Sequence, residues 1–300
     1  MSWAVVARKE YRDAIRSMWL WLLTGLFVLF VGGMAAAYGL LLSQSGGQEV
    51  TSLGLLVFLL SPASLLVPII GLVVSYKSVV GERESGSIKF LLGLPHTRAD
   101  VVLGKVVGRT GVVLTSILVG FAAAALIAIG FYNDFSPVPF GLFVLLTGLY
   151  ALAYISVGVG LSAAVSSTSR ALGAAVGFIV VFEMLWGTIV GLFAYGVDTL
   201  LGRTIGPAVL YLSTPPDWAA ALASLAPGTA FSRGVSAVLP GGGAMNSGGV
   251  QVGGSQAQQA AAAARDLAYY QEGWFGVMVL VLWVVVPLAV GYLRFRDADL

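Results

Sequence analysis

Six long apolar segments, separated by shorter polar stretches, dominate the pattern of hydrophobic and polar positions along the chain. At about 1.5 Å per residue, each segment is long enough to cross a hydrocarbon layer of about 30 Å as a helix. Because a helix satisfies its own backbone hydrogen bonds in lipid, the pattern predicts an all-α integral membrane fold with six transmembrane helices. The segments are Trp19–Leu42, Leu53–Tyr76, Val106–Phe131, Phe140–Ser166, Leu172–Gly196 and Gly273–Leu293.

Composition agrees with a membrane protein and limits its chemistry. Charged residues make up only 10% of the 300, against about 25% in an average soluble domain. The chain has no cysteine and a single histidine, His96, so we expect no metal site in it. We also expect no catalytic residue and no nucleic-acid partner.

Lysine and arginine are unequally divided between the two sides of the predicted bundle. An even number of spans places both termini on one side, and thirteen of the sixteen basic residues lie on that side. The positive-inside rule makes this the cytoplasmic side. The sequence therefore predicts a multi-pass protein of the cell membrane with both termini in the cytoplasm.

Residues 1–18 have the pattern of an amphipathic helix ahead of the first span. The apolar face holds Trp3, Ala7, Tyr11, Ala14 and Met18, and the charged face holds Lys9, Arg12, Asp13 and Arg16. Two interpretations stay open. The helix is either an elbow helix that packs on the side of the spans, or a positively charged flank that only orients the first span.

The connection between the fifth and sixth spans, 197–272, is the longest in the chain and is predicted to be extracytoplasmic. Its pattern predicts two short helices, the first with Asp217 as N-cap. Residues 241–256 are rich in Gly, Ser and Gln and are predicted to be flexible. We expect a single transmembrane domain, 1–300, without a second folded domain.

The connection between the second and third spans gathers charge in an otherwise apolar chain. Seven of the twenty-five residues at 81–105 are charged. Between Ser85, a possible N-cap, and Pro95, which blocks continuation, the pattern predicts a short helix with an apolar face. Thr97 and Asp100 have the spacing of a capping box that starts the third span. An ordinary cytoplasmic loop would explain the basic residues but not the capped helix or its apolar face.

The same stretch carries a pattern that runs from an acidic and basic start, through a pair of leucines, to a final Gly-Lys. The residues are Glu82, Arg83, Gly86, Ser87, Leu91, Leu92, Pro95, Arg98, Gly104 and Lys105. This pattern resembles the cytoplasmic signature of type-2 ABC exporter permeases, the membrane subunits that work with separate ATPases. Ser87 stands where Thr is commoner, which keeps the hydroxyl. The resemblance covers nearly the whole chain and is closest to the nitrous-oxide-reductase-maturation-like permease subgroup.

The resemblance implies that 77–105 is a cytoplasmic coupling loop, which docks on an ABC ATPase subunit and transmits its closure to the spans. The implied contact residues are Glu82, Arg83, Gly86, Ser87, Leu91, Leu92, Pro95 and Arg98. The resemblance also implies a dimer in the membrane lipid, formed by two copies or by one copy and a second permease. The simpler interpretation, a loop that only sets topology, stays open.

The chain shows no ATP site of its own. The Gly-rich stretch at 241–254 is not followed by Lys-Ser or Lys-Thr, and Gly104-Lys105 lacks the upstream glycine and the following hydroxyl. We therefore expect ATP and Mg²⁺ on the partner ATPase, no cofactor in this chain, and a non-enzymatic exporter subunit. The alternatives are an ATP-independent secondary transporter or channel, a membrane-embedded enzyme, or a membrane assembly scaffold.

Glu183 is the one acidic residue deep inside a predicted span. A charged group there costs about 2.5–3.5 kcal/mol on insertion scales, so such residues face protein or water. Glu183 either lines a dimer interface or substrate route, or forms hydrogen bonds that fix helix packing. Both interpretations stay open, and a transporter without an ATPase would need further ionisable groups in the spans.

Overall fold

A computed structural model describes residues 3–44, 50–87, 97–132, 134–202, 215–239 and 268–297 of the chain. Six helical stretches of these residues are long and apolar enough to cross a membrane, and they are called the first to sixth spans. They are Trp21–Leu42, Ser52–Glu84, Arg98–Phe131, Pro137–Ala164, Thr168–Leu200 and Gly273–Arg296. No strand occurs in the described ranges. The predicted all-α fold with six spans is confirmed.

Several spans consist of more than one helical segment. In chain order the helices are α1 (Trp3–Ile15), α2 (Met18–Phe27), α3 (Gly33–Gln44), α4 (Ser52–Ser75), α5 (Val80–Glu84), α6 (Arg98–Phe131), α7 (Pro137–Ala164), α8 (Thr168–Ile179), α9 (Trp186–Leu200), α10 (Asp217–Ala223), α11 (Pro227–Val238) and α12 (Gly273–Arg296). Short π-helical segments join α2 to α3 and α8 to α9, and the second of them, Val180–Leu185, contains Glu183. Such π turns inside α-helices are frequent at functional sites.

The third span begins earlier than its apolar segment because a capping box starts it. The Thr97 hydroxyl accepts a hydrogen bond from the Asp100 N–H at 3.1 Å, and the Asp100 carboxylate accepts one from the Thr97 N–H at 3.1 Å. The predicted capping box is therefore confirmed, with Arg98 as the first helical residue. Since the first turns are polar, hydropathy alone placed the start of the span too late.

The chain divides into two compact units, one comprising 1–175 and 281–300 and the other comprising 176–280. In the first unit the second span packs against the fourth, while the third span packs against the fourth and against α1. Phe143, Tyr150 and Tyr154 of the fourth span are fully buried in its core. The single domain 1–300 stays a prediction.

The N-terminal helix forms as predicted, and its predicted apolar face agrees in part with the face that packs on the third span, since Ala7 and Tyr11 lie against that span. Val6 and Ala7 are buried, whereas Trp3 and Met18 are 44% and 75% exposed. Met18 lies beyond the end of α1 at Ile15 and belongs to the next helix, so the two helices do not share one continuous apolar face. The elbow function stays a prediction.

The second unit contains α9, α10, α11 and the start of α12. The Trp186 indole N–H donates to the Leu222 carbonyl at 3.2 Å, and the Tyr270 hydroxyl donates to Asp217 at 3.2 Å. Asp217 is the first residue of α10 rather than its N-cap, because Pro216 occupies the capping position with extended backbone. The predicted flexible segment, 241–256, lies outside the described residues.

Candidate functional site

The charged connection includes α5, the last helical segment of the second span, whose start is attached to the fourth span. The N–H groups of Val79 and Val80 donate to the Ser162 hydroxyl at 3.0 and 3.1 Å. All three residues are fully buried. These amides lie at the start of a helix, where backbone donors have no partner within the helix. The Ser162 side chain therefore fixes where α5 begins.

Three consecutive charged residues of α5 reach three different spans. Glu82 accepts a hydrogen bond from the Lys105 ammonium of the third span at 2.7 Å. Arg83 donates to the Val165 carbonyl, at the end of the fourth span, at 3.2 Å. Glu84 accepts hydrogen bonds from the Thr168 N–H at 2.7 Å and from its hydroxyl, at the start of the fifth span.

Lys105 lies at the centre of a group of four charges, named here the Lys105 cluster: Glu10, Glu82, Lys105 and Arg109. Its side chain is 1% exposed, and its ammonium lies 2.6 Å from Glu10 Oε1 and 2.7 Å from Glu82 Oε1. Arg109, one turn further along the third span, lies 3.2 Å from Glu10 Oε2. Two cations and two carboxylates thus balance in a mostly buried site, which is the condition for tolerating a buried charge.

The cluster keeps Glu10 ionised. Burial on its own raises the pKa of Glu10, but the positive charges of Lys105 and Arg109 outweigh that effect and hold the pKa below the ordinary value of 4.5. A nearby opposite charge favours the ionised form of a carboxyl group. Glu10 is therefore negatively charged at neutral pH and remains an ion-pair partner for the third span.

Two glycines of the third span allow α1 to approach closely enough for these contacts. A Cβ atom at Gly104 would lie 2.5 Å from Val6 Cβ, and one at Gly108 would lie 2.6 Å from Glu10 Cβ. Small residues four positions apart let two helices approach closely. Because the backbones approach here, Glu10 reaches the cations on either side of Gly108.

Ser85 and Gly86 form the turn that follows α5, and Ser87 comes directly after it. Gly86 has a φ of 71°, a backbone conformation that favours glycine because it has no Cβ. Ser87 is exposed, and its hydroxyl lies 2.9 Å from that of Ser85, which is the C-cap of α5. The structure thus gives Gly86 a backbone role in the connection.

Arg98 attaches the far end of the connection to the sixth span. Its Nη1 donates to the carbonyl oxygens of Phe295 and Arg296, both at 2.6 Å. The guanidinium carbon also lies 5.5 Å from the centre of the Phe295 ring, within the range of a cation–π contact. The start of the third span and the end of the sixth are therefore bound to each other.

Three arginines share one kind of acceptor, the carbonyl groups at the end of a span. Arg83, Arg98 and Arg109 donate respectively to Val165, to Phe295 and Arg296, and to Val74. The last carbonyls of a helix have no partner within it and carry partial negative charge, so a cation stabilises them. The helices α4, α7 and α12 therefore end on arginines, and the fifth span begins on Glu84.

The contact residues predicted from the sequence fall into two groups. The structure describes Glu82, Arg83, Gly86, Ser87 and Arg98, and the three charged residues among them bind other helices of the same chain. The others, Leu91, Leu92 and Pro95, lie outside the described residues. Contact of any of these residues with an ATPase stays a prediction.

Residues that the sequence pattern did not single out complete the site. Glu10, Ser162 and Thr168 hold the connection in place, although each lies more than 60 residues from its partner in the chain. One available signal was Lys105, because a lysine placed among apolar residues on a packed helix requires a carboxylate partner. The spacing of Gly104 and Gly108 was the other signal.

Glu183 occupies a separate place, in the second unit. Its Oε1 accepts a hydrogen bond from the Gly228 N–H at 3.1 Å. Gly228 is the second residue of α11, so the carboxylate caps the start of that helix, where negative charge is favourable. This hydrogen bond goes to a backbone donor. A place for Glu183 in a substrate route stays a prediction.

Six apolar spans, with a charged connection bound to the ends of several of them, define a multi-pass membrane protein. The chain belongs to the ABC-2 family of transporter proteins, because a family model described as ABC-2 family transporter protein matches residues 4–300. The resemblance to type-2 ABC permeases is thereby confirmed, and the chain is a membrane subunit of an ABC transporter.

Two curated relatives agree with this assignment. The probable ABC transporter permease protein NosY of Stutzerimonas stutzeri is 33% identical over 193 residues, which cover 60% of this chain and 67% of the relative. The protein of the same name from Pseudomonas aeruginosa is 31% identical over 185 residues, which cover 60% of this chain and 66% of the relative. About a third of each relative therefore lies outside the matched region.

Proposed function

We propose that this chain couples ATP hydrolysis by a separate ATPase subunit to the export of a substrate across the cell membrane. The observation that carries the proposal is the attachment of the connection 77–105 to the ends of the second to sixth spans. A soluble subunit that binds the connection would displace these ends together, because hydrogen bonds and ion pairs join them to it. The connection is therefore the proposed coupling loop.

The docking surface of this loop is proposed to be the apolar face that contains Leu91 and Leu92. An apolar centre with a charged rim is typical of interfaces between proteins. Ser87, which is exposed, lies directly before this stretch, and Pro95 and Arg98 follow it. Movement of the docked ATPase would be transmitted to the spans through the attached ends of the loop, α5 and Arg98.

ATP and Mg²⁺ are proposed to bind to the partner ATPase, so that this chain is not itself an enzyme. The Gly104-Lys105 pair has a structural role, which supports ATP binding by the partner and not by this chain. Gly104 is in close contact with Val6, and the Lys105 ammonium is buried between two carboxylates. A phosphate-binding lysine has to reach the phosphates of a nucleotide, which this lysine does not do in its observed position.

The side of the membrane follows from the same loop. Because ATP is a cytoplasmic nucleotide, the loop and both termini are proposed to lie in the cytoplasm, in agreement with the excess of Lys and Arg there. Substrate would pass between two permease subunits, either two copies of this chain or one copy and a second permease. Leu192 and Phe193 of the fifth span are more than half exposed, which leaves that face open to lipid or to the second subunit.

A photo-cross-linking experiment in the native membrane tests the proposal. A photoreactive amino acid replaces Leu92 in one sample and Ser87 in another, and captured proteins are identified by mass spectrometry. Phe131, which is 81% exposed at the other end of the third span, provides the matched control position. We expect an ATPase with a G-x-x-x-x-G-K-[ST] phosphate loop from positions 92 and 87 and not from 131. Capture of lipid or of this chain alone, in a well-expressed sample, would contradict the proposal.

A further inference from the structure

We propose that Lys105 is a positioning residue that closes the coupling loop at its base by holding Glu82. The two ends of the loop, α5 and the first turns of the third span, then move as one body. The consequence for transport rests on the proposed function, whereas the closure of the loop is a property of this chain alone.

The geometry joins the two ends of the loop directly. Glu82 lies near the start of the loop and Lys105 is its last residue, 23 positions later, and Glu82 Oε1 lies 2.7 Å from the ammonium. The other carboxylate oxygen of Glu82 is buried without a hydrogen-bond partner in the described part of the chain. The side chain of Glu82 is thus held through one oxygen, and Lys105 holds it.

The two carboxylates that share Lys105 do not depend on it equally. Glu10 has a second cation, Arg109, at 3.2 Å, and its own helix is packed against Gly108. If Lys105 were removed, Glu10 would keep Arg109 as a partner, whereas Glu82 would be left as a half-buried carboxylate without its cation. The residue positioned by Lys105 is therefore Glu82.

Closing a loop at its base limits the arrangements open to its ends. A direct bond between two points of a chain limits the separations that those two points can adopt. A push on the residues between Glu82 and Lys105 then moves both ends together. Without the bond, α5 would still be attached to the fourth and fifth spans through Arg83 and Glu84, but the third span would be free to move less than α5.

A purely structural role predicts a different outcome. If Lys105 served only to hold α1 on the third span, Glu10 would be its important partner and neutralising Glu82 would have no effect on the loop. Glu82→Gln and Glu10→Gln are therefore a matched pair, since each removes one carboxylate from the same lysine. The double variant Lys105→Met/Glu82→Gln controls for folding, because it leaves the balanced pair of Glu10 and Arg109.

Distance measurements between spin labels test the closure. Because the chain has no cysteine, cysteines introduced at Ser87 and Leu103, both exposed, carry the labels in the full chain in lipid nanodiscs. We expect a narrow distance distribution in the parent chain and in Glu10→Gln. Glu82→Gln and Lys105→Met/Glu82→Gln should both broaden it, and to the same extent, because they break the same bond. An unchanged width in Glu82→Gln, or equal broadening in Glu10→Gln, would overturn the proposal.

The same variants, assembled with the captured ATPase, test the consequence. At ATPase concentrations that saturate each variant, we expect the change in hydrolysis rate on assembly to fall by about fivefold or more in Glu82→Gln and by much less in Glu10→Gln. If Glu82→Gln lost ATPase binding to the same extent as it lost this rate change, Glu82 would be a docking residue, which would contradict a positioning role. If the parent chain captures no ATPase, the proposed function fails, and the distance distributions still decide whether Lys105 closes the loop.

Discussion

The Glu84 carboxylate accepts hydrogen bonds from both the N–H and the hydroxyl of Thr168, 84 positions later in the chain. Thr168 is the first residue of the fifth span. A carboxylate at the start of a helix satisfies backbone donors that lack partners and favours the helix dipole. The second and fifth spans are therefore joined by a cap that a residue outside the helix provides.

Replacing Glu84 with Ala should loosen the start of the fifth span. Without the carboxylate, the Thr168 N–H loses its acceptor, and the first turn of α8 should open more often. We expect several-fold faster amide hydrogen exchange in a peptide that covers 166–175, measured by mass spectrometry. Ser85→Ala, a change in the same turn that leaves this contact intact, should exchange like the parent chain. Unchanged exchange in Glu84→Ala would show that the cap is not needed.

A variant in which both Leu91 and Leu92 are replaced by Asp should still insert into the membrane but should no longer bind its ATPase. The six spans are unaffected, so the variant should reach the membrane, whereas two carboxylates in an apolar interface would be costly to desolvate. Co-purification should then recover the chain without its ATPase. Leu200→Asp combined with Leu201→Asp adds the same two charges at exposed positions at the end of the fifth span and should retain the ATPase. Recovery of the double-Asp variant with a full complement of ATPase would argue against docking at this face.

Replacing Gly104 with Ala should displace α1. The added Cβ would lie 2.5 Å from Val6 Cβ and 2.8 Å from the Trp3 carbonyl oxygen, and overpacking of this kind costs about 1–3 kcal/mol. We expect a lower unfolding temperature in detergent and faster proteolysis of 1–18. Gly130→Ala is the control, because a Cβ there meets no atom within 4 Å. Equal behaviour of the two variants would mean that α1 is free to shift.

Replacing Glu183 distinguishes its hydrogen bond from its charge. Gln keeps an acceptor for the Gly228 N–H, whereas Leu removes it, and a hydrogen bond to a charged group contributes about 1.5–3 kcal/mol. We expect faster amide exchange at the start of α11 in Glu183→Leu and little change in Glu183→Gln. Met184→Leu, at an exposed neighbouring position, controls for a change in the π segment. If Glu183→Gln proved as disruptive as Glu183→Leu, the negative charge itself would be required.

The Lys105 cluster should make the stability of the folded protein depend on pH. Burial opposes ionisation of Glu10, but Lys105 and Arg109 prevail and lower its pKa below 4.5 in the folded protein. A carboxyl group whose pKa is lower in the folded state than in the unfolded state stabilises the protein at pH values above its unfolded-state pKa. This stabilisation is lost as the pH falls through the folded-state pKa. The unfolding temperature should therefore drop as the pH falls below about 4.5, and less steeply in Glu10→Gln. Asp13→Asn, at an exposed carboxylate of the same helix, should retain the parent's acid sensitivity.

Local patterns were sufficient for the spans and for the capping box at Thr97, because hydropathy and capping involve residues that are close in the chain. The partner of Lys105 was not predictable in this way. Glu10 lies 95 positions from it, and the two meet only because α1 packs against the third span. The predicted apolar face of α1 was wrong at Met18 for a related reason, since the end of the helix at Ile15 is set by packing and not by hydropathy.

The arginines at the ends of α4, α7 and α12 all bind main-chain carbonyl oxygens. Every amino acid supplies a carbonyl oxygen, so a change of side chain at Val74 or Val165 leaves the acceptor in place. Residue covariation detects contacts in which a change at one position is compensated at the other, and these contacts require no compensation. Among homologues, we therefore expect the positions whose carbonyl oxygens accept these hydrogen bonds to vary while the arginines are conserved. Covariation would then miss the contacts that hold the loop to the spans.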